Sequence, residues 1–353
     1  MSYENGDRQR SEEKRYKFAL VILTSALFVV IFALINVVGD ISLGQEKNEP
    51  VVTTTQPPPP VTQPPVVRVD CMISDTKQGT LIVINDDNSY TMPDEGALVV
   101  LSDNAYMRRA QNGMRLLPET VEKLNEMFSV YLSDTENETE KYTPIIKDAY
   151  RDFATQETKY NSASDKSTAS RAGHSDLHSG YSFRLRLIDK DGSEYLLDSI
   201  KLFDDWLNTN MAKYGFIDRY PENGSTDFSG TSIVGYGFFR YVGLPHSLYI
   251  SKEGISLEDY IELLRSEYSI NENNEFQLDD LLAIDAEDDT YYVMHVTAKG
   301  EKAEFSIPQE SKIHSFSGDN MGGFVVVLVR DSSSDDSTQI GDAGTTPEVD
   351  VQN

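Results

Sequence analysis

The most apolar stretch of the chain, interrupted only by Thr24, Ser25 and Asn36, lies near the N-terminus. Phe18 to Val38 runs for 21 residues without a charge. As a helix rising 1.5 Å per residue it spans roughly 30 Å, the hydrocarbon thickness of a bilayer. It predicts one transmembrane helix. The run exceeds the apolar region of a cleaved signal peptide, about 7–15 residues, and no A-x-A-like cleavage site follows it. From residue 39 to about 69 the pattern loses its periodicity, and Thr, Gln, Val and Pro dominate, with Pro57 to Pro60 consecutive. Proline runs favour polyproline II, so this stretch reads as a semi-rigid linker.

Periodic patterns follow. Gly79 to Asn85 and Ala97 to Leu101 read as strands between turn-rich segments. Val121, Leu124, Phe128 and Tyr131 fall at helical spacing behind Pro118, which predicts a core-facing helix over 118–132. Pro144 to Tyr150 reads as a strand and Arg151 to Tyr160 as a helix. In Tyr181 to Leu187 apolar residues alternate with Ser182, Arg184 and Arg186, the mark of a strand with one buried face. Asp204 to Tyr214 reads as a helix stopped by Gly215, and another begins at the Ser256 to Asp259 capping box. Tyr291 to Val296, Ala303 to Ile307 and Phe324 to Val329 read as strands of a small β module. Strands and helices without a regular βαβ repeat predict an α+β fold.

The boundaries expected from these patterns are a flank over 1–17, the transmembrane helix over 18–38 and the linker over 39–69. A main domain follows over 70–268, then the β module over 269–330 and a disordered acidic tail over 331–353.

Charge sharpens this picture. The 353 residues carry 31 Lys+Arg against 58 Asp+Glu, a net charge of -27. Affinity for phosphate backbones comes largely from Lys and Arg, so nucleic acid is set aside as a partner. The flank before the apolar run holds five basic and four acidic residues, whereas the first stretch after it offers only Lys47. The positive-inside rule keeps the N-terminus cytoplasmic and sends the remainder outside, as a single-pass type II membrane protein. Cys71 is the single cysteine; it excludes an intramolecular disulfide and reads as a small buried hydrophobe. Five histidines, His174, His178, His246, His295 and His314, cap any imidazole chemistry. The acidic segments Ser133 to Lys141 and Asp279 to Thr290 lack the glycine and alternating oxygen ligands of a calcium loop and read as solvated loops.

Four segments in order carry a resemblance: AYRDFATQETKY (149–160), AGHSDLHSGYSFRL (172–185), KYGFIDRYP (213–221), and FRYVGLPHSLYI with SLEDYIELL (239–264). Together they resemble the VanY-type D-alanyl-D-alanine carboxypeptidases, zinc enzymes that trim the D-Ala-D-Ala ends of peptidoglycan stems. The similarity covers roughly residues 79 to 329. It implies a D,D-carboxypeptidase-like core, an antiparallel sheet with flanking helices, and a Gram-positive, clostridial-type source.

The family's first zinc motif is S-x-H-x-x-G-x-A-x-D. Here Ser175, Asp176, Ser179 and Gly180 fit it without a gap, but Leu177 stands at the His position and Arg184 at the Asp position. The second motif, E-P-W-H-F-R-Y-V-G, begins here with Gly235 in place of the general base and carries Phe238 in place of the third ligand. The resemblance therefore implies replaced catalytic and metal positions, and zinc is not expected as a cofactor. His174 and His178, flanking Asp176, are weak candidates for a displaced metal. Ser175 with His178 forms a serine–histidine pair without an identifiable orienting carboxylate. His246 lies where the family carries a histidine outside the metal shell, and His295 and His314 read as structural.

Arg151 and Gln156 match the family's substrate-facing Y-R-S...Q segment. With Ser175, Asp176 and Arg184 they are the expected ligand-binding set. A guanidinium is suited to a carboxylate, and Arg184 is expected either to close the pocket on Asp176 or to hold an anionic ligand such as a peptide C-terminus. The function expected is that of an extracytoplasmic pseudoenzyme binding a peptidoglycan stem peptide or an envelope protein. Alternatives are an active zinc D,D-carboxypeptidase with a displaced metal site and a structural envelope scaffold.

Overall fold

The computed structural model describes residues 66–90, 95–134, 141–166, 169–221, 237–270, 276–286, 288–299, 302–308 and 310–331, all within one unit of the chain, Gln63–Asn353. The expected transmembrane helix, the linker up to residue 65, Gly235 and the tail from residue 332 lie outside the described residues. Among the described residues no helix is long and apolar enough to cross a membrane.

In chain order, β1 (Val66–Met72), β2 (Val99–Val100), β3 (Arg108–Arg109) and β4 (Arg115–Leu116) lead to helix α1 (Pro118–Asp134). Then come β5 (Tyr142–Asp148), α2 (Phe153–Ser162), β6 (Ser182–Asp189), β7 (Glu194–Tyr195), α3 (Lys201–Asn210), β8 (Phe216–Asp218) and β9 (Phe238–Tyr241). Helices α4 (His246–Glu253) and α5 (Leu257–Glu267) precede β10 (Ser269–Ile270), β11 (Leu282–Ala286), β12 (Asp289–Thr297), β13 (Lys302–Pro308), β14 (Ser311–Gly318) and β15 (Gly323–Arg330).

A six-stranded sheet runs β3-β5-β6-β9-β8 with β7 on β6, and only the β3–β5 pairing is parallel. Its inner face meets α1 and α3. Phe183, Leu185 and Leu187 of β6 pack with Leu124, Phe128, Phe203 and Leu207, and burying each such side chain contributes about 1.5–3 kcal/mol. The second sheet runs β10-β12-β15-β14 with β11 on β12. Its Leu282, Ile284, Val293, Val325 and Val327 share one cluster with Ile217, Val242, Ile250, Leu257 and Tyr260, so the two sheets are joined through a common core carried by α4 and α5. The mixed α+β architecture follows the expectation.

Several local expectations are corrected. Val66–Met72 pairs along its length with Lys302–Pro308, so residues 66–69, expected in the linker, belong to a strand. Gly79 to Asn85 is not a strand. Leu81, Ile82, Val83 and Ile84 are fully buried, yet their backbone is satisfied largely by side chains. Arg240 donates to the carbonyls of Thr80 and Ile82, Asn320 to that of Val83, and Ser317 Oγ accepts from Leu81 N at 2.9 Å. An apolar run reports burial, and the partner of its backbone decides whether a strand results.

Ala97 to Leu101 yields only the two residues of β2. Helix α2 starts at Phe153, because Asp152 turns its carboxylate onto Thr155 N at 2.6 Å and caps the helix. The helix expected over 204–214 is α3 followed by a 3-10 turn, Met211–Tyr214. Gly215 ends that turn at φ 85°, and a Cβ there would meet Tyr241 at 2.6 Å. The capping box at Ser256 forms as read, with Ser256 Oγ accepting from Asp259 N at 3.0 Å.

Candidate functional site

The region of the first motif is a buried 3-10 turn, Asp176–Ser179, that delivers the chain into β6. Gly180 ends it at φ 74°, where a Cβ would come within 2.9 Å of Leu98, so a left-handed glycine sets the angle at which β6 begins. Along β6 the alternation then places Phe183 and Leu185 in the core and leaves Arg184 and Arg186 half-buried on the opposite face.

Arg184 lies between two strands. Its register partners are Asp148 on β5, beside a bulge, and Phe238 on β9. Its Nε is buried without a hydrogen-bond partner. Arg151 donates from Nη1 to Gln156 Oε1 at 2.7 Å and from Nη2 to Asp148 Oδ1 at 2.5 Å. Gln156 is itself fully buried, and its amide donates to Ser170 O at 2.6 Å. Lys159 of α2 completes the group. Desolvation of its ammonium and the nearby Arg151 and Arg184 cations hold it below the ordinary amine range, against the opposing pull of Asp148. Three cations therefore gather around one carboxylate, an arrangement that attracts anions. Lys159 and Asp148 were not singled out from the sequence. The (i,i+3) spacing of Asp148 and Arg151 was a readable signal, whereas Lys159 reaches the group only through the packing of α2.

The remaining motif residues serve a different purpose. Asp176 is fully buried, with its Oδ1 2.9 Å from Arg240 Nη1 and 3.1 Å from Arg219 Nε, and its Oδ2 accepts from Ser182 Oγ. Burial alone would raise its carboxyl, but the Arg240 and Arg219 guanidinia and the Ser182 hydroxyl bring it below the usual carboxylate range. The expected closure of Arg184 on Asp176 is thus corrected: Arg219 and Arg240 occupy that carboxylate. Both arginines stand in the recognised segments, and their structural pairing was missed there.

Ser175 Oγ is buried without a partner. His178 accepts from Gly173 N at Nε2, 3.0 Å, which leaves the proton on Nδ1 to be donated to Arg151 O at 2.6 Å. Burial holds this imidazole below its ordinary value, so the ring is neutral with both nitrogens engaged. That removes it as a base for Ser175. His174 Nδ1 lies 2.8 Å from Asn85 O. Among the described residues no group of three His, Cys, Asp or Glu side chains could hold a metal. The remaining histidines lie apart: His246 Nδ1 meets the Tyr260 hydroxyl at 2.8 Å, His295 Nε2 meets Asp319 Oδ2 at 3.0 Å, and His314 packs edge-on to Tyr291.

No family model matches the chain. A D-alanyl-D-alanine carboxypeptidase of Enterococcus faecium is 26% identical over 273 residues, covering 74% of this chain and 78% of the relative. The chain is similar to the VanY-type D-alanyl-D-alanine carboxypeptidases. Among solved structures, the vancomycin-resistance D,D-dipeptidase VanXYg, in complex with a D-Ala-D-Ala phosphinate analogue, superposes with a TM-score of 0.60 at 20% identity over 75% of this chain and 99% of its own. That likeness concerns the fold.

The expectation that no cofactor attends this chain is overturned by the family. A vancomycin-resistance D,D-pentapeptidase VanY mutant, 21% identical over 52% of this chain and 98% of its own with a TM-score of 0.38, was solved in complex with Zn(II). Zinc is the metal that the resemblance of the two motifs implies, so its fit is the one to test. At the motif positions the described donors do not fit it: Leu177 and Phe238 are buried side chains without lone pairs, 1% and 3% exposed, and Arg184 adds a positive charge beside them.

Proposed function

We propose that this VanY-type chain is a membrane-anchored, extracytoplasmic protein that binds the D-Ala-D-Ala end of a peptidoglycan stem peptide without hydrolysing it. Phe18 to Val38 supplies the anchor, with the N-terminus cytoplasmic. The observation that carries the reading is the unpartnered, buried Nε of Arg184, set between Asp148 and Phe238 and flanked by Arg151 and Lys159. A peptide C-terminal carboxylate offers the acceptor that this Nε lacks. The replaced positions Leu177, Arg184 and Phe238 offer no metal donor to activate water, so recognition is retained and cleavage is not.

Calorimetric titration of the full chain with an acyl-D-Ala-D-Ala peptide, with and without added zinc, tests this. Saturable heat that disappears in Arg184→Ala, with no D-alanine released, is the expected result. EDTA-sensitive release of D-alanine would instead establish hydrolysis with a displaced metal, the activity that the E. faecium relative's name carries. Absence of heat in the parent chain would remove peptide binding and leave an envelope scaffold, to be sought through a protein that co-purifies from membranes.

A further inference from the structure

A second cleft, of about 400 Å³, opens where the carboxypeptidase-like sheet meets β14. It contains none of Arg151, Gln156, Leu177, Arg184 or Phe238. Its walls are aromatic: Tyr181 and Tyr241, with ring centroids 6.4 Å apart and planes 28° from parallel, Tyr214, and Phe316. Phe316 is 39% exposed, and its ring is braced from behind by Phe324 at 4.8 Å. An exposed aromatic face held in place by a buried ring is already ordered before any ligand arrives.

The main polar side chains between these rings are neutral or hydrogen-bonded. Burial and the neighbouring carboxylates push the Tyr241 hydroxyl up to about 12, so it is protonated at neutral pH. Burial, together with Glu119, which accepts a hydrogen bond from its hydroxyl, raises Tyr181 in the same direction. His246, pushed down to about 3 by burial, faces the cleft as a neutral imidazole. Lys123 is matched by Glu126 at 2.6 Å, and Lys213 donates to Asn210 Oδ1 at 2.8 Å. Among the described residues the two lysines of the cleft are held singly, one by a carboxylate and one by an amide, which makes no cation cluster for a phosphate or a carboxylate, and its aromatic walls are interrupted by too many hydroxyls and amines, and by Glu119, for a purely apolar guest. Flat apolar faces edged by hydroxyl donors and acceptors are the complement of a pyranose ring, which presents C–H faces and an equator of hydroxyls.

We propose that this cleft binds an uncharged oligosaccharide, one pyranose lying against Phe316 and the Tyr181, Tyr214 and Tyr241 rings and its hydroxyls meeting Glu119 and the tyrosine hydroxyls. The inference is independent of the reading of the Arg184 pocket. The test is calorimetric titration of the full chain, purified in a polyoxyethylene detergent so that no sugar headgroup competes, with the N-acetylglucosamine tetramer as probe. Saturable binding is expected, weakened about 5- to 10-fold by Phe316→Ala and by Tyr214→Ala and unchanged by Arg184→Ala. Phe316 is half-exposed, so its truncation leaves the fold intact, which far-ultraviolet circular dichroism verifies. Absence of saturable heat at roughly 10 mM sugar, beyond any useful affinity, overturns the proposal. So does equal affinity in the parent, Phe316→Ala and Tyr214→Ala chains, which places the sugar elsewhere. Loss of binding in Arg184→Ala alone assigns the sugar to the other pocket and overturns it as well.

Discussion

Arg219 grips Glu258 through two parallel hydrogen bonds, Nη1 to Oε2 at 2.8 Å and Nη2 to Oε1 at 2.6 Å, with both side chains out of solvent. Asp176 approaches Nε from the other side at 3.1 Å. This ties β8, α5 and the turn before β6 to one guanidinium, and Arg219 Nη2 also points at Ile84 O, 3.4 Å away. Removing one partner strands a charge in the interior, which costs about 3–5 kcal/mol, whereas replacing the pair by apolar groups of similar size is often close to neutral. Glu258→Leu is therefore expected to lower unfolding stability by about 3–5 kcal/mol, and Arg219→Met added to it to recover a large part of that loss. Urea unfolding of the parent, single and double variants measures this. Additive losses would show that the two side chains act independently.

His246 makes stability depend on pH in a defined direction. Its folded value is about 3 against 6.5 for the free side chain, first because it is buried and second because His314 lies nearby. The unfolded chain therefore binds the proton more readily. The contribution is complete above about pH 6.5 and is lost as pH falls toward 3, with stability rising with pH across that window. Asp176 has the same sign but acts lower: its depressed carboxyl stabilises above the unfolded value near 3.9 and loses its effect only as pH drops through the folded one. His246→Gln is expected to flatten the pH dependence between 6.5 and 5 without abolishing it, because His178 is depressed too. Unfolding midpoints measured across that range decide the matter, and parallel profiles for parent and variant would clear His246 of the role.

The group around Arg184 can be probed through its neighbour. Arg151 and Arg184 both disfavour the Lys159 cation. Deleting Arg184 removes one of these repulsions, so Arg184→Ala is expected to raise the Lys159 pKa. Nuclear magnetic resonance of 13C-methylated lysines across a pH titration reads it directly. A Lys159 titration unchanged by the substitution would mean that the two side chains do not share a pocket.

Much of the scaffold was visible in the pattern of the sequence because one-face burial leaves a periodic trace. The alternation in Tyr181 to Leu187 located β6, and the spacing of Leu124, Phe128 and Tyr131 located α1. Gly79 to Asn85 misled for a physical reason: its four consecutive buried residues look like a central strand, while Arg240, Asn320 and Ser317, distant in sequence, take its backbone groups. The site divided along the same line. Arg151, Gln156 and Arg184 were legible from motif positions, and their places between β5 and α2, on α2 and on β6 now give them neighbours. Asp176 looked equally eligible but belongs to the interior, since its partners Arg219, just past β8, and Arg240, on β9, are not brought together by sequence spacing. The cleft beside Phe316 left no trace, being assembled from segments between Gly79 and Ser317.

Gly318 offers a test of how the turn after β1 is held against β14. Its N donates to Gln78 O at 2.7 Å, and Asn320 N donates to Thr76 O at 2.7 Å, so β14 and the turn after β1 meet backbone to backbone. A Cβ on Gly318 would lie 2.2 Å from Thr76 O and 2.3 Å from Thr76 C. Gly318 is absent from the positive-φ glycines, so its role is close approach and not a left-handed conformation. If conformational freedom alone mattered, Gly318→Ala would stabilise by about 0.4–1 kcal/mol through the unfolded chain. Steric overlap with main-chain atoms, which cannot swing aside as a side chain does, argues for the opposite sign and a loss of at least about 1–3 kcal/mol. Gly113→Ala is a control for general effects of replacing glycine, since its φ of 78° strains any side chain but a Cβ there meets nothing within 4 Å. Thermal unfolding of both variants separates overlap from backbone strain. A Gly318→Ala chain as stable as the parent would show that the contact between Thr76 and β14 yields without cost.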